Sequence, residues 1–213
     1  MKNEFASKPE TITEQWPGEF EISSWQDVIT AMPSPLMVVT GWKSNGKENA
    51  CLHASSVLSG SGGEYFCIIN SVYKSGHMYQ SIKETGCCVL NFPSKDISDQ
   101  CFKTIENNEF ETDEITASGL TAEKSKSVNA PRIVECFLNV ECEFLWEHEL
   151  FPGSPFVTMA LKAVRICMDS DHYDNKKLGR YGKTGYMYFV GSQQNPDNGE
   201  KICESFAAIE LYK

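Results

Sequence analysis

The sequence lacks any apolar run near the roughly 20 residues that a membrane-spanning helix needs. Its first fifteen residues are polar and have no apolar centre of the kind found in secretory signals. Basic residues are in the minority, because 19 Lys and Arg stand against 29 Asp and Glu, and the net charge is −10. Nucleic acids and anionic membranes are bound through clustered basic residues. We therefore expect neither a membrane nor a nucleic acid as the partner of this protein.

The cysteines do not have the pattern of a disulfide framework. There are nine of them, spread over the whole chain, with Cys87 and Cys88 adjacent. No Asn-x-Ser/Thr glycosylation site occurs. We interpret the cysteines as reduced, mostly buried thiols, which predicts a cytoplasmic protein.

Motifs for metal or dinucleotide binding are also missing. The sequence contains no Cys-x-x-Cys, no His-Glu-x-x-His and no Gly-x-Gly-x-x-Gly. Two weaker groupings could hold a metal: Cys51 with His53, and the acidic run at 169–174 that includes Asp169, Asp171, His172 and Asp174. Because the acidic run follows a predicted strand, we expect a solvated turn there and predict no metal site.

Strand patterns dominate the chain and follow one another with short turns, as in an antiparallel sheet. The predicted strands lie at residues 36–42, 50–58, 64–70, 87–92, 136–147, 156–168 and 186–190. The turn between the first two contains Asn45-Gly46, a strong hairpin signal. Helices are predicted at 24–31, at 75–85 with Ser75 as N-cap and Gly86 as its end, and at 94–105. The fold class is therefore mainly β with appended helices, an antiparallel barrel rather than a doubly wound sheet.

The strand at 136–147 has the clearest alternation. Its even-numbered residues are apolar or cysteine: Cys136, Leu138, Val140, Cys142, Phe144 and Trp146. The odd positions carry Asn139, Glu141, Glu143 and Glu147. This period of two predicts one buried face and one solvent-facing face. We expect a single domain over residues 1–213, with an N-terminal arm at 1–20 and a polar excursion at 106–131.

Acidic residues are scarce between positions 28 and 83. The window has two acids, Glu48 and Glu64, against four lysines. Its loop at 71–77 combines Ser71, Lys74, Ser75 and His77 at the start of a predicted helix. A helix N-terminus with free backbone N–H groups and a nearby lysine is typical of a phosphate site. An ordinary capped helix start remains the alternative for this loop.

The order of these features resembles a known family. The strand at 35–42, the turn Asn45-Gly46-Lys47, the segment 49–56, the loop with Lys74 and the strand at 85–91 follow one another as in the flavin reductase-like, FMN-binding split-barrel family, which includes the flavoredoxins. The resemblance covers roughly residues 28–168. It implies an antiparallel Greek-key split β-barrel of the FMN-binding type, usually a homodimer with FMN near the subunit interface.

The resemblance also implies site residues. One strand lies along the flavin, here through His53, Ala54, Ser55 and Ser56, and a phosphate loop falls on Ser71, Lys74, Ser75 and His77. The family commonly has a threonine at the position of His53, which here is either a hydrogen-bond donor to the flavin or substrate, or a packed strand histidine. No catalytic side chain is assigned, because flavins carry the redox chemistry themselves.

Three functions therefore stand as hypotheses. The leading one is an FMN-dependent oxidoreductase, either an NAD(P)H:flavin reductase or a flavoredoxin-type electron carrier, with a reduced nicotinamide or a redox protein as electron donor. The second is a non-catalytic barrel that binds flavin or another small phosphorylated ligand. The third is a metal-dependent protein that uses Cys51, His53 and the acidic run at 169–174.

Overall fold

A computed structural model describes residues 2–106, 108–173, 185–191, 194–201 and 206–208 of the protein. The chain divides into two compact units. One contains Met1–Ser34 and Tyr188–Ala207, and the other contains Pro35–Met187 and Ala208–Lys213. That the chain folds as one domain stays a prediction.

The first unit contains two short helices, α1 (Glu19–Ile22) and α2 (Trp25–Thr30). Ser24 caps α2 in a capping box with Asp27, as expected where a serine precedes a helix with an acid at its third position. This confirms the helix predicted at 24–31. The predicted N-terminal arm is tied to residue 194, because the Gln194 side chain donates to the Thr13 carbonyl at 2.9 Å and accepts from the Thr13 N–H at 3.3 Å.

Short strands lie where the chain passes between the units: β1 (Ser34–Pro35), and later β11 (Met187–Phe189) and β12 (Phe206–Ala208). The second unit is built on seven strands, β2 (Met37–Trp42), β3 (Glu48–His53), β4 (Ser56–Ser61), β5 (Glu64–Tyr73), β6 (Cys87–Phe92), β9 (Leu138–Glu149) and β10 (Phe156–Met168). A small hairpin pairs β7 (Ala122–Lys124) with β8 (Pro131–Ile133). The helices are α3 (His77–Thr85), α4 (Ser98–Glu106) after a 3₁₀ turn (Lys95–Ile97), α5 (Glu114–Ala117) and α6 (Ser170–Tyr173).

The seven strands form one antiparallel sheet in the order β3-β2-β6-β9-β10-β5-β4. The two edges of this sheet, β3 and β4, are consecutive in the chain, so the barrel is open between them. The core joins the inner faces of β2, β5, β6, β9 and β10 to Met78 and Ile82 of α3. This confirms the mainly β, antiparallel architecture and the buried strand predicted at 87–92.

The outer edge of β3 is capped by side chains from the excursion and from α4. The backbone N–H groups of β3 donate to Asp113 Oδ1 at 3.0 Å, to Glu114 Oε2 at 2.6 Å and to Thr104 Oγ1 at 3.1 Å. An unpaired strand edge invites pairing with another chain. These three acceptors therefore take the place of a neighbouring strand.

Two parts of the predicted face pattern on β9 are wrong. Asn139 and Glu141, predicted to face solvent, are 6% and 0% exposed. Glu141 is covered because its carboxylate accepts the backbone N–H groups of Lys126 and Ser127 in the excursion. Trp146, predicted to be buried, is 43% exposed.

A β-bulge explains the position of Trp146. Phe144 pairs with Leu161 and Trp146 with Ala160, so residue 145 has no partner of its own in the ladder. Cross-strand partners share a face of the sheet. The bulge therefore places Trp146 on the face opposite to Phe144, which still packs against the core.

Candidate functional site

The chain leaves regular sheet geometry between β3 and β4, inside the segment predicted to lie along a flavin. The strand predicted at 50–58 is therefore interrupted, which corrects that prediction. Ser55 has φ 61°, in the left-handed region that residues with side chains seldom adopt. Its carbonyl oxygen accepts a 2.9 Å hydrogen bond from the N–H of Asn70 on β5. Ala54 is half-buried, and Ser56, which begins β4, is buried.

The second predicted segment begins at the same place. Ser71 follows Asn70 directly and has φ 57°. The Asn70 side chain is itself held, because the Thr158 hydroxyl on β10 donates to Asn70 Oδ1 at 2.8 Å. Only three described residues other than glycine have positive φ, and two of them are the predicted site residues Ser55 and Ser71. Such backbone strain tends to be kept at ligand sites.

His53 ends β3 with a largely buried imidazole. Burial lowers the pKa of His53 from 6.5 to about 4, and a hydrogen bond with the backbone of Asn70 opposes part of the shift. Its Nε2 is buried and has no hydrogen-bond partner among the residues that the structure describes. The ring is therefore neutral at physiological pH, and it leaves one buried nitrogen lone pair or N–H unused.

The loop before α3 is a tight turn with an uncapped helix start. The Gly76 N–H donates to the Tyr73 carbonyl at 3.0 Å, and a Cβ at position 76 would lie 3.2 Å from that oxygen, closer than ordinary contact. The N-cap of α3 is Gly76, one residue after the predicted Ser75, whose side chain is exposed. Because glycine has no capping side chain, the first N–H groups of α3 lack that partner. Such groups attract anions.

Lys74, the predicted phosphate cation, already has an anionic partner. Its ammonium forms an ion pair with Glu149 at the end of β9, and both side chains are about one-third exposed, at 32% and 37%. The Lys74 ammonium and the Gly153 N–H together lower the pKa of Glu149. Exposed pairs of this kind contribute little to stability, so a phosphate can compete for the lysine.

His77, the first residue of α3, contacts the excursion. Its Nδ1 lies 3.3 Å from Glu114 Oε1, and its ring meets the edge of Phe110 with centroids 5.7 Å apart. Glu114 is fully buried and also pairs with Lys43 at 2.8 Å. The sequence did not single out Glu114 or Lys43, since neither stands near His77 in the chain.

The two predicted segments, 53–56 and 71–77, thus meet at Asn70. Lys74 pairs with Glu149, and His77 contacts Glu114. The arrangement fits a phosphorylated flavin: an uncapped helix start beside exposed Ser71 and Ser75 suits a phosphate, and the strained backbone at Ser55 with the unpartnered His53 Nε2 suits a planar ring system. Sequence reasoning missed Asn70, Thr158 and Glu149. The alternation of residues along β5 was the only signal that could have pointed to Asn70. Thr158 and Glu149 reach the site through pairing with residues far away in the sequence.

A metal centre finds no support in the described residues. Within the described ranges no three His, Cys, Asp or Glu side chains could hold a metal ion together. Burial raises the pKa of Cys51 to about 12, and Asp174 lies outside the described residues. The eight cysteines that the structure describes are all unpaired, and six of them are buried, which confirms the interpretation as thiols for these eight. No described helix is long and apolar enough to span a membrane.

A cleft of about 350 Å³ lies apart from the predicted residues. Trp42 and Glu48 of the β2–β3 hairpin line one side, and residues 122–124 and 128–131 line the other. Burial, followed by the nearby Asp113, raises the pKa of Glu48. None of the residues predicted to bind a flavin lines this cleft.

Both the sequence and the fold are similar to those of known proteins. Residues 29–181 match the family model described as "Flavin reductase like domain". An uncharacterized protein of Methanothermobacter thermautotrophicus is 30% identical over 96 residues, which are 44% of this chain and 45% of that protein. The match thus spans less than half the length of this relative.

Solved structures share the fold. Flavoredoxin of Desulfovibrio vulgaris (Miyazaki F) superimposes with a TM-score of 0.69 at 17% identity, covering 94% of this chain and 96% of that one. A Shewanella frigidimarina protein described as a flavin reductase with a split barrel domain superimposes with a TM-score of 0.70 at 14% identity, covering 89% and 88%. The split-barrel fold is therefore shown, as the sequence predicts.

Proposed function

This chain belongs to the flavin reductase-like family, and we propose that it is an FMN-binding oxidoreductase, acting as a flavin reductase or as a flavoredoxin-type electron carrier. The observation that carries the proposal is the meeting of two distant segments at Asn70. Ser55 and Ser71, which come from those segments, both have left-handed backbone conformations. Their convergence beside an uncapped helix supports one site for a flavin ring and its phosphate.

Each part of the site has a task in this proposal. The phosphate binds at the start of α3, where backbone N–H groups donate and Ser71 and Ser75 are exposed to contribute hydroxyls. The small residues Ala54 and Ser55 let the backbone approach the ring system. His53 packs there as a neutral imidazole. Bound FMN supplies the redox chemistry, since a flavin accepts a hydride or single electrons.

We further propose a homodimer in the cytoplasm, reduced by a nicotinamide or by a redox protein. Large apolar side chains are exposed along β9, β10 and the loop between them, which supports a covered surface in solution: Leu145, Trp146, Leu150, Phe151 and Ile166. Gel filtration tests this part. A mass near 48 kDa is expected, about twice 23.9 kDa, and a mass near 24 kDa contradicts the dimer.

Flavin binding and reduction test the central proposal. Purified protein titrated with FMN is expected to take it up and to perturb its visible spectrum. Bleaching of the bound flavin by NADH or NADPH is expected of a reductase, and bleaching only by a reduced redox protein is expected of a carrier. Protein that takes up no FMN contradicts the proposal.

One observation favours the second hypothesis, a barrel that binds flavin without turnover. Glu149 engages Lys74, so the cation of the phosphate loop is partly neutralised. In this second hypothesis the protein binds flavin that no reduced nicotinamide and no ferredoxin-like donor can reduce. That outcome, in protein that still binds FMN, separates storage from turnover.

A further inference from the structure

We propose that Glu114 is a positioning residue that holds the His77 imidazole for contact with the flavin phosphate, and that this is a task of the excursion at 106–131. The inference rests on the proposed function, because it needs a phosphate at the start of α3. It adds two residues that do not follow from the motifs of the predicted site: Glu114, which contacts His77, and Lys43, which pairs with Glu114.

Glu114 is fixed on three sides. Its Oε2 accepts the Ala50 N–H at 2.6 Å, and its Oε1 lies 2.8 Å from Lys43 Nζ and 3.3 Å from His77 Nδ1. The Glu114 side chain is 0% exposed and the Lys43 side chain 1% exposed. Buried charges persist only when paired and hydrogen-bonded. The position of the carboxylate is therefore set before any ligand arrives.

Lys43 makes the arrangement compatible with an anion. Its ammonium also donates to the carbonyl oxygens of Glu109 and Thr112, each at 2.8 Å, so all three of its protons are used. The Lys43–Glu114 pair has no net charge. The Glu114 carboxylate would repel a phosphate near His77 if it were unpaired, but the Lys43 ammonium compensates its charge.

The imidazole of His77 is oriented by two contacts from the excursion. Glu114 takes Nδ1, and the ring of Phe110 packs edge-on against it. The nitrogen that remains for a ligand is Nε2. An imidazole that donates one proton to a carboxylate and the other to a phosphate is the charged form. His77 then offers a phosphate a charge-assisted hydrogen bond at a helix start, where backbone N–H groups also point.

The test compares FMN with riboflavin, which lacks the phosphate. Dissociation constants for both are measured by quenching of flavin fluorescence in the wild-type protein and in Glu114→Gln. A charge-assisted hydrogen bond is worth roughly tenfold in affinity or more. We expect Glu114→Gln to weaken FMN binding about tenfold and to change riboflavin binding by less than about twofold. A purely structural role of Glu114 weakens both ligands equally and overturns the inference.

Further variants keep the test decisive. In a His77→Ala background, Glu114→Gln is expected to have no additional effect on the FMN-to-riboflavin ratio, since Glu114 acts through the imidazole. If Glu114→Gln alone does not fold, Lys43→Met/Glu114→Gln removes both buried charges and is measured in the same way. Asp113→Asn is the matched control, because Asp113 is the neighbouring acid and pairs with the exposed Lys47.

The outcomes separate this inference from the proposed function. Wild-type protein that binds neither flavin overturns both. Wild-type protein that prefers FMN, together with a Glu114→Gln variant that keeps the same preference, overturns only the role of Glu114. A ring ¹⁵N spectrum gives a second readout: FMN is expected to shift the Nε2 resonance of His77 in wild type and not in Glu114→Gln.

Discussion

His53 is expected to make the folded protein lose stability as the pH falls below 6.5. The imidazole has a pKa near 6.5 in an unfolded chain, while burial lowers the pKa of His53 to about 4 in the folded protein. Between these two values the unfolded state binds more protons than the folded state. The contribution is therefore fully present above pH 6.5 and is lost as the pH falls towards 4.

The magnitude follows from the size of the shift. Each pKa unit corresponds to about 1.4 kcal/mol, so the whole window corresponds to about 3 kcal/mol, and the step from pH 7 to pH 5 to about 2 kcal/mol. Urea denaturation of the apoprotein at pH 7 and pH 5 measures this step. In His53→Gln the loss between the two pH values is expected to be smaller by about 2 kcal/mol than in wild type.

A matched control is available in His148, a histidine exposed on β9. The variant His148→Gln is expected to lose as much stability between pH 7 and pH 5 as wild type does. The reasoning is refuted if His53→Gln and wild type lose the same free energy of unfolding over this step. The buried His53 ring would then make no pH-dependent contribution to stability.

Three further predictions concern the ion pairs and thiols. Lys74→Ala should weaken FMN binding by about 1–3 kcal/mol, whereas Glu149→Gln, which frees Lys74, should strengthen it about two- to fivefold. Both affinities are measured by fluorescence titration. Identical affinities in all variants would show that Lys74 is not part of the phosphate site. Lys43→Met leaves Glu114 buried without its cation and should lower the free energy of unfolding by about 3–5 kcal/mol. Lys47→Met, which breaks an exposed ion pair, should lower it by less than about 1 kcal/mol. Equal losses in chemical denaturation would contradict the burial argument. Burial raises the pKa of the Cys67 and Cys101 thiols to about 12. Both thiols should therefore resist a thiol reagent at pH 8 until the protein is unfolded. Rapid modification of the folded protein would contradict this prediction, because it would show that these thiols are accessible.

Local patterns predicted much of the fold because their causes are local. The hairpin at Asn45-Gly46 and the end of α3 depend on the positive φ of Gly46 and Gly86, a conformation that glycine adopts readily. Each is present where the sequence predicts it. On β9 the apolar even-numbered residues from Leu138 to Phe144 pack in the core as predicted, since neighbouring residues of a strand face opposite sides.

Failures arose where distant residues decide the outcome. Glu141 is buried because the excursion donates two N–H groups to it, and Trp146 changes face because of a bulge against β10. In the candidate site, the scarcity of acids singled out the loop at 71–77, and the resemblance added the segment 53–56. The partners of Lys74 and His77 stand 75 and 37 residues further along the chain, and no pattern in one sequence pairs residues over such separations.

The most direct test of the central claim is the visible absorbance spectrum of purified protein titrated with FMN and then mixed with NADH. The account predicts saturable uptake of FMN with a perturbed flavin spectrum, followed by bleaching when a competent electron donor is added. Protein whose addition leaves the spectrum of FMN unchanged at every ratio would contradict it.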